Sequence, residues 1–337
     1  MNCCWCFVAL SLVAFAVAQD KHRRIGEIDF YGFAGLDLNR IRAALPLREG
    51  DEWSDSDDAA LESIPRIRQA VERVVGKPPT DVALVCCDAQ GNAMFYIGLP
   101  GNSIRSVPYR STPLGRARLP ARIVSLYQET MEASSKAVRN GSSGEDDSKG
   151  YALSVEPDLR AKQLATRAYA LHHEPLVRRV LASTQDADQR IAAAHILGYA
   201  RQSVEQIQAL VKATYDPNET VRNNAIRALA VLAQSKPTLA VRIPAEHFIA
   251  MLSSGSWTDR NKAGFLLDAL SKSRDLKLLS QLRSQALDSL IEMARWRSRG
   301  HADFARILLG RIAGIEETRL QQLVDAGQVD QIIDALK

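Results

Sequence analysis

A chain of 337 residues is long enough for two domains, or for one domain and a repeat array. Its 46% hydrophobic and 24% charged residues are those of a globular protein. The net charge of +4, from 43 Lys+Arg against 39 Asp+Glu, is too small a surplus to argue for a nucleic-acid partner. The N-terminus reads as a secretory signal. Residues 7–18 form an uncharged apolar run, Ala16-Val17-Ala18 is an A-x-A cleavage site before Gln19, and charge begins at Asp20 and Lys21. The run falls short of the roughly 20 apolar residues that span a bilayer. The expectation is export, with cleavage after Ala18 and a periplasmic or secreted location. An uncleaved N-terminal anchor is the alternative, because no Lys or Arg precedes the run. Cys3, Cys4 and Cys6 lie too early for a lipoprotein cysteine. No second long apolar run follows, which excludes a multi-span membrane protein.

After the signal only Cys86 and Cys87 remain, which is no disulfide framework. Neighbours in a strand point to opposite faces, so one should be buried and the other exposed. Ile25, Ile28, Phe30, Tyr31 and Phe33 predict a strand closed by Gly32 and Gly35. Asp37 caps a short helix in which Leu38, Ile41 and Leu45 share a face. A longer helix runs from Ser54 and Asp55 to about Val75, with Leu61, Ile64, Ile67, Ala70, Val71 and Val74 at helical spacing, and Pro78-Pro79 ends it. Residues 82–87 and 93–99 predict a hairpin. This β-α-α-β-β order, with Ile25-x-x-Ile28-x-Phe30-x-Gly32 and Ile41-x-x-x-Leu45-x-Leu47-x-x-Gly50-Asp51, resembles a POTRA domain over residues 24–99. The resemblance implies polypeptide binding by strand addition at a sheet edge, usually beside an outer-membrane barrel. No barrel follows here, so that membrane role is not carried over.

Residues 100–122 contain four prolines and Arg105, Arg110, Arg116, Arg118 and Arg122, with no acid before Glu129. They read as a solvated loop wrapping the domain, or as a basic patch for an acidic partner or anionic headgroups. Residues 123–138 are helical. Residues 140–150 (NGSSGEDDSKG) have the composition of a flexible linker at a domain boundary.

From residue 156 the chain is nearly all helix, and one pattern recurs: alanine, an apolar residue three on, leucine four on, an apolar residue seven on. The copies are Ala193/Ile196/Leu197/Ala200, Ala225/Ala228/Leu229/Leu232, Ala263/Leu266/Leu267/Leu270 and Ala305/Leu308/Leu309/Ile312, spaced 32, 38 and 42 residues apart. Such spacing means stacked helix pairs. Arg190, Arg222 and Arg260 stand three residues before the first three alanines; Ala302 stands there in the fourth, which marks a degenerate repeat or a cap. With Asp216-Pro217-x-x-x-Val221-Arg222-x-x-Ala225-x-x-x-Leu229 as its best match, roughly residues 156–325 of the 156–337 helical unit resemble HEAT and HEAT-like repeats. The resemblance implies that the arginines tie adjacent repeats together.

No P-loop, dinucleotide-binding glycine fingerprint, H-E-x-x-H or G-x-S-x-G occurs. His172, His173 and Cys87 are the weak candidates for a catalytic site in the array's concavity, in a lyase- or glycosylase-like enzyme. Neighbouring histidines on a helix diverge by about 100°, too far to face one metal. His195, inside the first repeat copy, reads as a packing residue. Trp257 and Trp296, the latter flanked by Arg295, Arg297 and Arg299, could form an aromatic platform of the kind that holds flipped bases, but an export signal argues against DNA. The expected fold is therefore a small α+β domain followed by an α-α solenoid. The expected function is that of an exported, non-catalytic protein-binding scaffold of the periplasm or cell envelope, with possible peripheral envelope association. No catalytic, metal or cofactor residue is assigned. Catalysis in the concavity and an accessory role in outer-membrane protein assembly are the alternatives.

Overall fold

The computed structural model describes residues 23–337 apart from 55, 56, 89 and 143, together with all their side chains except those of 57–60. The signal segment, Cys3, Cys4, Cys6 and His22 lie outside the described residues. The described residues begin with β1 (Arg23–Tyr31), α1 (Leu38–Ala44), β2 (Glu52–Trp53), α2 (Asp57–Val75), β3 (Asp81–Cys86) and β4 (Ala93–Gly98). Asp37 caps α1 through bonds from the Asn39 and Arg40 amides. The sheet runs β2-β1-β4-β3, with β1 parallel and β3 antiparallel to β4. Strand β4 is buried along its whole length, because the sheet is covered on both faces. Phe95 and Ile97 point with Ile28 and Phe30 into a core under α1 and α2. Met94 and Tyr96, one residue out of phase, join Tyr31 in the core of the helical array.

After an extended segment comes α3 (Ala121–Arg139), then a short ribbon of β5 (Glu145–Asp146) and β6 (Leu153–Ser154). The array follows as α4 (Pro157–Ser183), α5 (Ala187–Leu197), α6 (Val204–Ala213), α7 (Glu219–Ser235), α8 (Pro237–Ala240), α9 (Glu246–Met251), α10 (Trp257–Ser271), α11 (Leu276–Ala294), α12 (Arg299–Ile312), α13 (Glu317–Asp325) and α14 (Val329–Asp334). Helix α4 is two helices joined by a kink at His173, ahead of Pro175. The first helices pack in series, α5 on α7, α7 on α10 and α10 on α12, and second helices such as α6, α9 and α11 pack against them. This is the predicted α-solenoid. The repeated stripe is its interior: Ala193, Leu197, Ala225, Leu229, Ala263, Leu267, Ala305 and Leu309 are each 0% exposed. Close approach of α5 to α7 shows at Gly198, where an added Cβ would stand 2.9 Å from that of Ala228.

The small domain and the array form one packed body. Tyr96 stacks on Trp257 and meets Trp296 edge-on, with ring centroids 5.1 and 5.0 Å apart. The Trp296 indole donates to the Phe30 carbonyl at 3.1 Å. Arg297 donates to Asp29 and Glu49, and these bonds hold the Glu49 carboxyl below its usual range. Residues 144–154, which include part of the 140–150 stretch read as a flexible linker, lie on the array. Arg227 pairs with Glu145, Gln202 bonds the Lys149 carbonyl, and Arg167 covers the Tyr151 ring at 3.8 Å.

Candidate polypeptide-binding surface

Along one edge of the stack, each repeat arginine reaches the carboxylate that opens or closes the next repeat. Arg190 forms two bonds with Asp216, at 2.9 and 3.0 Å. Arg222 does the same with Asp259, at 2.8 and 3.0 Å. Arg260 pairs with Glu292 at 3.2 Å. All six residues are buried. Other guanidinium N–H groups cap carbonyls five or six residues back: Thr184 and Gln185 for Arg190, Asp216 and Pro217 for Arg222, and Ser254 for Arg260, whose Nη2 has no partner. Thus each arginine closes its own inter-helix turn and fixes the neighbouring repeat. The fourth copy lacks this arginine, but Arg306 caps Ala294 and Trp296 from another position on α12. No onward carboxylate is needed where the ladder ends.

Residues 100–120 run along this ladder from the fourth repeat back to the first. The Ser103 hydroxyl donates to Glu292 at 2.6 Å, and the Tyr109 hydroxyl donates to Asp259. Arg110 donates to Asp216 at 2.6 Å, Arg118 to Asp186 at 3.1 Å, and the Leu119 amide to Gln189 at 2.7 Å. Between these anchors the main chain bonds the loops of three successive repeats: Arg105 N–H to Ser253 O, Arg110 N–H to Tyr215 O, and Gly115 N–H to Ser183 O, with Gln185 N–H returning to Gly115 O. Each ladder carboxylate therefore accepts from one repeat arginine and from one residue of this strap. The ring of Tyr109 also lies on the Arg222 guanidinium at 4.0 Å. Burial, then the Asp259 charge, raises the Tyr109 phenol pKa, so it stays a donor at any physiological pH.

The strap corrects the reading of residues 100–122 as a solvated loop. Arg110 is an anchor within the fold and Arg118 makes a surface ion pair with Asp186, whereas no ion pair is formed by the exposed Arg105, Arg116 and Arg122 side chains among the described residues. Sequence reasoning missed the strap because its partners are remote and half of its bonds come from the backbone. The available signal was a run of arginines without acids, opposite repeats that each carry a spare aspartate.

No family model matches the sequence, and no curated protein matches it. Among solved structures the chain is similar to an engineered protein at 16% identity, covering 64% of this chain and 95% of that one, with a TM-score of 0.39. It is also similar to computationally designed armadillo repeat proteins for modular peptide recognition, at 14% identity over 63% of this chain and 90% of theirs, TM-score 0.37. A designed armadillo repeat protein in complex with the peptide (KR)4 aligns at 13% identity over 64% and 91%, TM-score 0.36. Likeness at these scores carries no functional argument, and the solenoid follows from the helix packing above.

The remaining candidate residues make local contacts. His172 bonds the Ala168 carbonyl at 2.7 Å, and His173 packs on Tyr169 at the α4 kink. Cys87 stands beyond β3, joined to Cys86, and Arg23 donates to both sulfurs. Among the described residues no three His, Cys, Asp or Glu could hold a metal ion together. Trp257 and Trp296 are 9% and 1% exposed beneath the small domain, so neither offers a platform for a base. Their arginine neighbours are also engaged, Arg295 with Asp330 and Arg299 with Asp325. His195 packs between Tyr127 and Tyr199, and burial pushes its pKa down to about 3.

Proposed function

We propose that the chain is a non-catalytic protein-binding scaffold, exported to the periplasm or cell envelope. The observation that carries this reading is the strap. The array's edge holds an extended segment of its own chain, residues 100–120, by main-chain bonds at successive repeats and by a carboxylate at each. The dispersal of His172, His173 and Cys87 supports the non-catalytic part, and the signal-like N-terminus supports export. The test uses residues 19–337, immobilised and exposed to an envelope extract of the source cells. Retention of a defined protein, unchanged in a His172→Ala/His173→Ala/Cys87→Ala variant, is the expected result. An extract from which nothing is retained would remove the reading, as would a turnover abolished in that variant while its fold persists.

A second reading follows the POTRA-like order of the small domain. Strand β3 lies at the sheet edge with Leu84 partly exposed, a geometry that fits strand addition beside an outer-membrane barrel. Cross-linking of a barrel protein to residues 81–86 would favour it; an edge that never acquires a partner would count against it.

A further inference from the structure

The first segment of α4, ahead of the kink at His173, buries polar residues and exposes apolar ones. Gln163 and Thr166 lie on its buried face, where Gln163 accepts from the Ser154 amide at 2.7 Å. Between Asp158 and His172, every exposed residue is alanine or leucine: Ala161, Leu164, Ala165, Ala168 and Leu171, with Leu164 at 46% and Leu171 at 37%. At about 100° per residue these five fall within an arc of about 120° and run for about three turns. The cations of the segment turn away from that face. Arg160 donates to the Ser154 carbonyl at 3.2 Å, Arg167 donates to the Tyr199 carbonyl at 2.9 Å, and Lys162 pairs with Asp158 at 3.3 Å and Glu129 at 3.8 Å. A surface helix ordinarily carries charge opposite its buried face, so an uncharged stripe of this extent marks a contact surface.

Its place in the fold selects what covers it. Helix α4 opens the stack, packed on α3, α5 and α6, and the stripe is on the face that no described element covers. The far end is closed differently: α13 and α14 expose Arg319, Gln321, Gln322, Asp325, Asp330 and Gln331, a polar outer face of the kind that caps a solenoid. The stripe does not match that polar end, so copies do not add head to tail. Nor does it suit a bilayer, since no aromatic residue or free cation lies within it and Asp158 stands at its rim. It does match itself. In an antiparallel pair of these helices centred near Ala165, Ala161 meets Ala168 of the second copy and Leu164 meets Ala165, and the alanines allow close approach. Asp158 and His172 lie equally far to either side of that centre and on the same side of the stripe. The pairing therefore sets the carboxylate of each copy against the imidazole of the other. His172 Nδ1 is 2.7 Å from the Ala168 carbonyl, which leaves Nε2 for this contact, and Lys162 engages only Oδ1 of Asp158.

We propose that two copies of the chain pair end to end through the first segment of α4, as an isologous antiparallel dimer that joins their arrays. The two-fold makes each apolar contact and each Asp158–His172 contact twice. The dimer goes beyond the scaffold reading and holds whether or not the array binds a foreign protein.

The test is sedimentation equilibrium of residues 19–337 under reducing conditions, from about 1 to about 200 μM. A monomer–dimer equilibrium is expected within that range. Leu164→Glu/Ala168→Glu should raise the dissociation constant at least about tenfold. Both positions are exposed, so the variant folds, which helical circular dichroism checks. His172→Asp sets carboxylate against carboxylate and should also weaken the dimer, whereas the exchanged variant Asp158→His/His172→Asp should restore it. That rescue separates the antiparallel α4 pairing from any other dimer. A monomer throughout the range would overturn the proposal. So would a dimer that Leu164→Glu/Ala168→Glu leaves intact, or an exchanged variant no tighter than His172→Asp. A chain that stays monomeric while it retains an envelope protein, or binds phosphatidylglycerol vesicles, through the same stripe would assign the stripe to that partner and overturn it as well.

Discussion

At the residue scale the ladder arginines and their carboxylates decide whether the stack holds. Removing one partner of a buried pair leaves an uncompensated charge and costs about 3–5 kcal/mol. Asp216 serves Arg190 and Arg110 together, at 0% exposure. Asp216→Ala should therefore lose stability of that order in urea unfolding. Arg118→Ala, which removes only a surface pair, should stay within about 0.5 kcal/mol. Equal losses in the two variants would contradict the ladder's role. Histidines set a pH limit. Burial holds His301 at about 4 and His195 at about 3, so both are neutral in the folded chain. Below pH about 6.5 the unfolded chain binds protons that the folded chain does not, so stability falls with pH. The slope is about 1.4 kcal/mol per pH unit for each histidine, persisting for His301 down to its folded value. His301→Gln should remove one such increment from the slope between pH 6 and pH 4.5, read from urea midpoints; an unchanged slope would show that His301 does not titrate against folding.

At the element scale the strap behaves as part of the array. The amides of Arg105, Arg110 and Gly115 are bonded to repeat carbonyls, so their hydrogen exchange should be as slow as that of the turns they join. Gly115→Ala would bring a Cβ to 2.5 Å from the Ser183 carbonyl oxygen. It should speed exchange over residues 112–119 and leave α10 and α12 protected. Fast exchange across the strap in the unaltered chain would contradict its anchoring. Helices were legible in the sequence because their signals are local: the alanine-leucine stripe, the Asp37 cap of α1, and the Pro78-Pro79 stop after α2. The arginines at 190, 222 and 260 were readable as repeat ties for the same reason. The strap was not, because Arg110 meets Asp216 across 106 residues and Gly115 acts through its backbone. The ribbon at 145–154 was hidden too, since its two-residue strands carry no alternation to read. Two-residue β2 failed in the same way.

At the scale of the whole molecule, the sheet domain and the solenoid share a core. Tyr31, Met94 and Tyr96 belong to the array's cluster, and Trp296 is bonded to strand β1. Unfolding should then be one transition, reported alike by tryptophan fluorescence and helical circular dichroism. Trp296→Ala should lower both signals' midpoints together, by about 3–5 kcal/mol. Two separated transitions in the unaltered chain would contradict a shared core. This rigidity suits a scaffold, because the strap-lined edge keeps a fixed position relative to the sheet. The most direct test of the scaffold is photo-cross-linking in the source cells, with benzoylphenylalanine placed in turn at Val241, Leu276 and Leu114, all exposed. The account predicts a discrete protein adduct from at least one of the three positions. Illumination that yields no protein adduct from any of the three would contradict it.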